Sequence, residues 1–391
     1  MPAPAPQRYR SEGRRKGVPP DVLANALASI SRIRDTDPRI EPVLTLRHLA
    51  FLTDVPYRYL RQVVARSAAT GYRTFRLKKR VPGRSRMRTI SVPPPSLKEV
   101  QRWIVENVIQ HVAPHEASYA FHPGSSPYLA AEEHCECSFL LKVDVQDFFH
   151  SIGEGSVAAV FEAIGFQKLI SFEMARLVTR PIPSSKPAPD PAARWVAIPY
   201  YNYPHEGVLP QGAPTSPMLA NLVMRHADQR LANLATRMGM RYTRYADDLA
   251  FSAPHGSAIA LADMRRCRTQ VLRILNEYGF SPNLRKTVIR GPGSRRIVLG
   301  MLVDGDRPRL AREFKDNLRL HLHYLTAPSH GPAAHAMARK TGVSSMYHHV
   351  RGLISWAQCV DPEYAADALA LFRTANWPLV QPRWSGASDD D

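Results

Sequence analysis

Apolar residues recur at three- and four-residue spacing over residues 21–33, where Val22, Leu23, Ala26, Leu27 and Ile30 share a side, and this spacing predicts an amphipathic helix. Residues 46–68 keep that period in two pieces, broken at Asp54-Val55-Pro56, because proline ends one helix and starts another. Three prolines at 93–95 set off a further helix over 97–111. The period then changes. Phe139-Leu140-Leu141-Lys142-Val143 reads as a buried strand that runs straight into Asp144. Tyr242 on one side of Tyr245-Ala246-Asp247-Asp248 and Leu249-Ala250-Phe251 on the other predict two short strands joined by a tight turn. Residues 297–304 alternate like a strand pair ending at Gly305. Helical spacing returns with Phe314, Leu318, His321 and Leu322 inside 310–325, and residues 346–359 with 362–372 predict an antiparallel helical pair. The mixture predicts the α+β class.

The turn at Ala246-Asp247 carries two like charges and lacks the Asn-Gly or Asp-Gly that makes a tight hairpin inexpensive. An exposed acidic turn is the plainer reading of any Asp-Asp pair taken alone. Asp144 supplies a third carboxylate at a strand end, although by itself it suits a helix cap or a surface position equally well. Octahedral Mg²⁺ takes a few carboxylate oxygens and leaves its other positions to water and phosphates, so Asp144, Asp247 and Asp248 suffice for two ions. Two ions about 3.5–4 Å apart activate a hydroxyl and stabilise a leaving pyrophosphate, which is nucleotidyl-transfer chemistry. Asp147, at the same strand end as Asp144, suits backbone or triphosphate contacts. Between the acidic segments lies Gly207-Val208-Leu209-Pro210-Gln211-Gly212-Ala213-Pro214-Thr215-Ser216-Pro217, which feeds the apolar run Met218 to Leu222. Such a loop either offers backbone N–H groups to an anion or simply starts a helix.

In that order, the Asp144 strand, the LPQG-A-PTSP loop and YADD resemble the motifs of reverse transcriptases. Arg84-Ser85-Arg86-Met87-Arg88-Thr89-Ile90 is similar to the basic fingers hairpin of that family, and Asn283-Leu284-Arg285-Lys286-Thr287 to its lysine-bearing segment after YADD. The likeness covers roughly residues 45–325. It implies a right-hand polymerase fold with an antiparallel palm sheet and a helical C-terminal thumb. The implied divisions are an N-terminal tail and helix (1–40), fingers (41–118), palm (119–305, with an insertion at 181–204) and thumb (306–391). It further implies that Phe149, beside Phe148 and Asp147 at the nucleotide, rejects a ribose 2′-hydroxyl. Gln211 would contact the incoming nucleotide or template, Arg88 its triphosphate, and Lys286 would protonate the pyrophosphate. Arg84 and Arg86, with Arg339, Lys340, His348 and Arg351 of the thumb, would hold nucleic acid. The implied cofactor is a pair of Mg²⁺ ions, with Mn²⁺ as a substitute.

Within the family, Arg86 to Gln101 and Tyr119-Ala120-Phe121-His122-Pro123-Gly124 resemble bacterial retron-type enzymes. Two retron hallmarks are altered: Asn-Ala-x-x-His stands as Ala130-Ala131-Glu132-Glu133-His134, and Val-Thr-Gly as Val298-Leu299-Gly300. The retron likeness implies a cognate non-coding RNA, a branched RNA–DNA product, deoxynucleoside triphosphates as substrates, and anti-phage defence with an effector protein. A stand-alone defence reverse transcriptase and a group II intron relative are the alternatives, and an RNA-binding scaffold with subordinate polymerase activity is the non-enzymatic one.

With 52 Lys and Arg against 34 Asp and Glu, the net charge of +18 suits a polyanionic partner and strongly salt-dependent binding. Basic residues concentrate between Arg8 and Lys16, Arg76 and Arg88, and Arg285 and Arg312, a track rather than a coat. Tyr57, Tyr59, Tyr72 and Phe75 are candidate stacking partners for bases, or core. No apolar run approaches the roughly twenty residues of a membrane helix and no leader is apparent, so a cytoplasmic protein without a membrane partner is expected. Cys135 and Cys137, next to His134, form a C-x-C pair that reads better as buried thiols than as a zinc site. The segment before Pro20 is expected to be a mobile tail, and the Asp389-Asp390-Asp391 end a solvated one.

Overall fold

The computed structural model describes residues 6–66, 71–81, 84–181 and 206–378, with backbone alone for 78–81 and 84–86. The expected insertion at 181–204, apart from Pro181, and the acidic end lie outside the described residues.

Residues 6–15, expected to belong to a mobile tail, instead form a helix, α1 (Pro6–Arg15). Its Arg8 and Glu12 pair one turn apart, and Gly13 gives the close approach that Leu23 of α2 (Pro20–Thr36) requires, since a Cβ there would stand 2.4 Å from a Leu23 methyl. α3 (Leu46–Thr53) is capped by the Thr45 hydroxyl, which accepts from the His48 N–H at 3.1 Å. It ends at Asp54 with φ of 53°, and α4 (Tyr57–Val64) follows the expected proline break. β1 (Arg73–Val81) and β2 (Arg84–Val92) form an antiparallel hairpin that pairs Phe75 with Ile90 and Leu77 with Arg88. α5 (Pro95–Asn107) starts on the proline run.

α6 (Pro127–Glu132) precedes β3 (Cys137–Asp144), the first strand of the central sheet. α7 (Glu154–Ile164) and α8 (Lys168–Val178) follow, with β4 (Arg180–Pro181) and β5 (Gly207–Val208) paired beyond them. A buried ion cluster secures that pair. Glu154 accepts from the Arg66 guanidinium at 3.1 Å and from the Gly207 N–H at 3.2 Å, while Arg176 donates to the Val64 carbonyl at 2.9 Å. α9 (Ser216–Arg237) leads into β6 (Arg241–Tyr245) and β7 (Asp248–Pro254), then α10 (Leu261–Glu277) and β8 (Val288–Arg290). The sheet is antiparallel throughout, in the order β6-β7-β3-β8.

Period-two alternation divides the sheet between two apolar layers. Leu141, Val143, Leu249 and Phe251 face the layer built from α2–α5 and α7–α10, whereas Leu140 and Ala250 face the C-terminal helices. Full burial of a side chain such as Phe251 contributes roughly 1.5–3 kcal/mol. The expected strand pair after residue 297 is present as β9 (Ile297–Val298) and β10 (Met301–Leu302), joined through Leu299 and Gly300 at φ of 48° and 87° and continued by β11 (Arg309–Leu310). α11 (Arg312–Thr326), α12 (Gly331–Ala338), α13 (Val343–Val360) and α14 (Pro362–Thr374) complete the second layer. No helix among the described residues is long and apolar enough to cross a membrane.

Candidate active site

The β6–β7 hairpin turns on Ala246 and Asp247, with Tyr245 paired to Asp248. Ala246 takes a φ of 57°, a left-handed conformation that costs an L-residue roughly 1–2 kcal/mol. A buried device beneath the turn holds it there. Arg244 is fully buried, and its fork grips Asp228 of α9, Nε to Oδ1 at 2.8 Å and Nη2 to Oδ2 at 2.6 Å. Its remaining Nη1 donates to the Ala246 carbonyl at 3.2 Å and to Asn221 Oδ1 at 3.0 Å. Tyr242 donates to Asp228 at 2.8 Å, and burial together with that carboxylate pushes the phenol well above its ordinary range. Neither Asp228 nor Asn221 stood out in the sequence. The available signal was their seven-residue separation on one face of a helix otherwise buried along that face.

Asp144 and Asp248 stand directly opposite each other across β3 and β7. Like charges in that relation repel, so the pairing is unfavourable until a cation joins it. The Val145 N–H donates to the Asp247 carbonyl at 2.9 Å and locks the turn to the end of β3. Burial raises the proton affinity of Asp247, to which Asp144 adds, while Lys286 and Arg88 counteract it. Burial and then the Asp247 charge raise that of Asp248. Asp144 itself is engaged by Lys286 Nζ on Oδ1 and by Asn283 Nδ2 on Oδ2 at 3.1 Å. Among the described residues no three His, Cys, Asp or Glu side chains are gathered at metal-binding spacing, and the Lys286 ammonium occupies one oxygen of the Asp144 carboxylate.

The loop before α9 docks against the hairpin, as the Ser91 N–H donates to the Gln211 carbonyl at 2.7 Å. Gly212, at φ of 117°, leaves no room for a Cβ, which would lie 2.9 Å from Ile90. Arg88 is exposed two residues before Ile90, close enough for its charge to act on Asp247. The side chains of Arg84 and Arg86 lie outside those described.

After Asp144 the chain turns through Asp147, at φ of 48°, into a short 3-10 helix, Phe148–Ser151. Phe149 is half-buried and faces Phe121, with ring centroids 6.3 Å apart. Phe148 corrects the expectation of a nucleotide contact, for it is 4% exposed with its ring between Phe149 and Phe280. It is core that backs Phe149. Asp147 is exposed, and the Gln146 amide donates to its carboxylate at 3.4 Å.

Arg339 and Lys340 are exposed in the turn that ends α12, and Arg351 is exposed on α13. His348 differs, since it is half-buried and its Nε2 is enclosed without a hydrogen-bond partner. Tyr59 and Tyr72 pack on the core, Tyr72 accepting from Gln101 at 2.9 Å, whereas Tyr57 and Phe75 remain open. All four cysteines are free thiols; Cys135 and Cys137 are buried as expected, and Cys359 is exposed. His134 is wholly buried, bonded through Nδ1 to Ser252 at 2.7 Å and through Nε2 to Thr243 at 2.8 Å. It therefore staples the two strands that carry the acidic turn.

A family model described as reverse transcriptase (RNA-dependent DNA polymerase) matches residues 77–302. The retron Ec86 reverse transcriptase of Escherichia coli is 30% identical over 290 residues, covering 74% of this chain and 77% of that protein. The retron Mx65 reverse transcriptase of Myxococcus xanthus is 32% identical over 294 residues, 75% of this chain and 62% of its own length. The retron Ec83 reverse transcriptase of Escherichia coli is 28% identical over 299 residues, 76% and 85% respectively.

Proposed function

Because the chain belongs to the retron-type reverse transcriptases, and is therefore an RNA-directed DNA polymerase, we propose that it copies a cognate non-coding RNA into DNA by two-metal nucleotidyl transfer at Asp144, Asp247 and Asp248. The observation that carries the proposal is the direct pairing of Asp144 with Asp248 across the two central strands, one residue from the Asp247 turn. The donor set is hard oxygen, as Mg²⁺ or Mn²⁺ prefers, and the attraction of Lys286 to Asp144 is what a carboxylate cluster in want of a cation would exert. Two such ions, when bound, activate the attacking hydroxyl and neutralise the leaving pyrophosphate.

The chain's own groups do the rest. Arg88, on the hairpin, and Lys286, beside Asp144, bring positive charge to the triphosphate, and Lys286 is the proton donor to the pyrophosphate. Phe149 closes the space a 2′-hydroxyl would need. The Gln211 backbone is fixed by Ser91, and the Gln211 side chain is the group assigned to nucleotide or template. In this reading the hairpin and its helices are fingers, the four-stranded sheet and its helices the palm, and α11–α14 a thumb whose Arg339, Lys340 and Arg351 neutralise duplex phosphates. The retron type further suggests priming from a 2′-hydroxyl of the RNA, a branched product, and anti-phage defence with an effector protein.

Sequencing the nucleic acid that co-purifies with the protein, and treating it with a 2′–5′ debranching activity, tests the retron reading. A branched RNA–DNA supports it. Free complementary DNA or an untemplated homopolymer instead favours a stand-alone defence enzyme.

A further inference from the structure

Phe121 is held in a conformation that its residue type disfavours and that its burial does not explain. Its φ is 67°, in the left-handed region where glycine alone is unstrained, yet the residue is 40% exposed. The segment leading to it is strapped down on both sides. The Arg244 N–H donates to the Ala117 carbonyl at 2.7 Å, and the Tyr119 N–H donates to the Arg244 carbonyl at 2.9 Å. Asn221 donates to the Ala120 carbonyl at 2.6 Å, and the Ser118 hydroxyl donates to Asn221 at 3.0 Å. The same Arg244 and Asn221 that support the acidic turn thus fix the backbone from which Phe121 projects. Its ring then reaches two others, Phe149 at 6.3 Å and Tyr245 at 6.4 Å between centroids, both in tilted contact. These separations lie within the range of favourable aromatic pairs.

We infer that Phe121 is a positioning residue for sugar discrimination: its ring touches both Phe149 and Tyr245 and so fixes the ring that meets the 2′ position. Backbone strain kept for a half-open ring points to function rather than to packing. Glycine would relax that strain, so a turn that required only the left-handed conformation would gain from it. The inference rests on the proposed gate role of Phe149.

The test compares Phe121→Gly, Phe121→Tyr and Phe149→Ala with the double variant Phe121→Gly/Phe149→Ala, on one RNA template, reading kcat/KM for a deoxynucleotide and its matching ribonucleotide. Phe121→Gly should lower the deoxy-to-ribo ratio about three- to tenfold, the population shift expected from losing an aromatic pair. It should do so chiefly through a lower KM for the ribonucleotide. Phe121→Tyr should restore the ratio, and the double variant should discriminate no worse than Phe149→Ala alone. If Phe149→Ala relaxes discrimination while Phe121→Gly and Phe121→Tyr both keep the wild-type ratio, the role of Phe121 is overturned and the gate stands. If Phe149→Ala leaves the ratio unchanged, the gate reading fails and Phe121 fails with it. Should Phe121→Gly not fold, Phe121→Leu, which also removes the aromatic pair, decides by the same ratio.

Discussion

Arg244 reaches Asp228 with both arms of its fork, at 2.8 and 2.6 Å, while neither side chain is exposed to solvent. The pair supports a strained turn more than it adds net stability, since two charges taken out of water recover little beyond their desolvation cost. Breaking it should be severe. Asp228→Asn leaves Arg244 buried without its counter-ion and is expected to cost about 3–5 kcal/mol in urea unfolding. The apolar replacement Asp228→Leu/Arg244→Met should recover much of that stability yet leave polymerase activity low, because the Ala246 carbonyl has lost its donor. Full activity in the apolar variant would refute the supporting role.

Asp247→Asn/Asp248→Asn is expected to abolish nucleotide incorporation while RNA binding persists. Its effect on stability should have the opposite sign. Both carboxylates are raised by burial and by neighbouring acids, so the folded state holds protons the unfolded chain has released. Rising pH through the carboxylate range therefore destabilises the wild type in chelator. The Asn variant should lack that loss, melting higher than wild type in EDTA at neutral pH, and added Mg²⁺ should narrow the difference. Equal melting in EDTA across pH would contradict the charge relation.

Lys286 holds the Asp144 carboxylate and so competes with any cation there. Lys286→Met should show two effects of opposite kind: a tighter apparent affinity for Mg²⁺ in thermal titrations and a fall of about 10²-fold in turnover, as for loss of a proton donor. A variant with weaker Mg²⁺ affinity would show that Lys286 assists the site electrostatically in some other way.

His134 is kept neutral, its pKa pushed down to about 3 by burial. The unfolded imidazole takes up a proton near its ordinary value of about 6.5, so acid favours unfolding. Stability contributed by His134 is complete above that value and declines as pH falls toward the folded pKa, by up to about 1.4 kcal/mol per unit. His134→Gln should flatten this acid limb of the stability profile and lower stability at neutral pH. An unchanged limb would mean that another group controls it.

For the C-terminal helices, replacing exposed Arg339 or Arg351 by Ala should weaken RNA binding evenly across sequences. Each loss should reduce the slope of log affinity against log salt by about 1. A change confined to one RNA sequence would instead mark a base contact.

The acidic turn, the strand of Asp144 and the loop around Gln211 were legible because apolar runs bracket each of them closely in sequence. The supports were not. Asn221 and Asp228 meet Arg244 only after α9 folds back on the sheet, and a charged residue in a helix reads as surface until its partner is known. Phe121 gave no sign of its left-handed backbone, because nothing in a phenylalanine favours it. His134 looked like one member of an altered motif, and burial between Thr243 and Ser252 revealed its work. Phe148 and Phe149 are adjacent and chemically alike; only the 3-10 turn separates core from cleft. The helix of residues 6–15 escaped notice because it buries no side chain.

Pro181 stands directly opposite Gly207, and Glu154 clamps that junction from below. A Cβ at Gly207 would stand 2.4 Å from the Arg66 guanidinium and 2.8 Å from the Glu154 carboxylate, so this junction accepts glycine alone, and any larger residue there would prise apart the buried ion cluster.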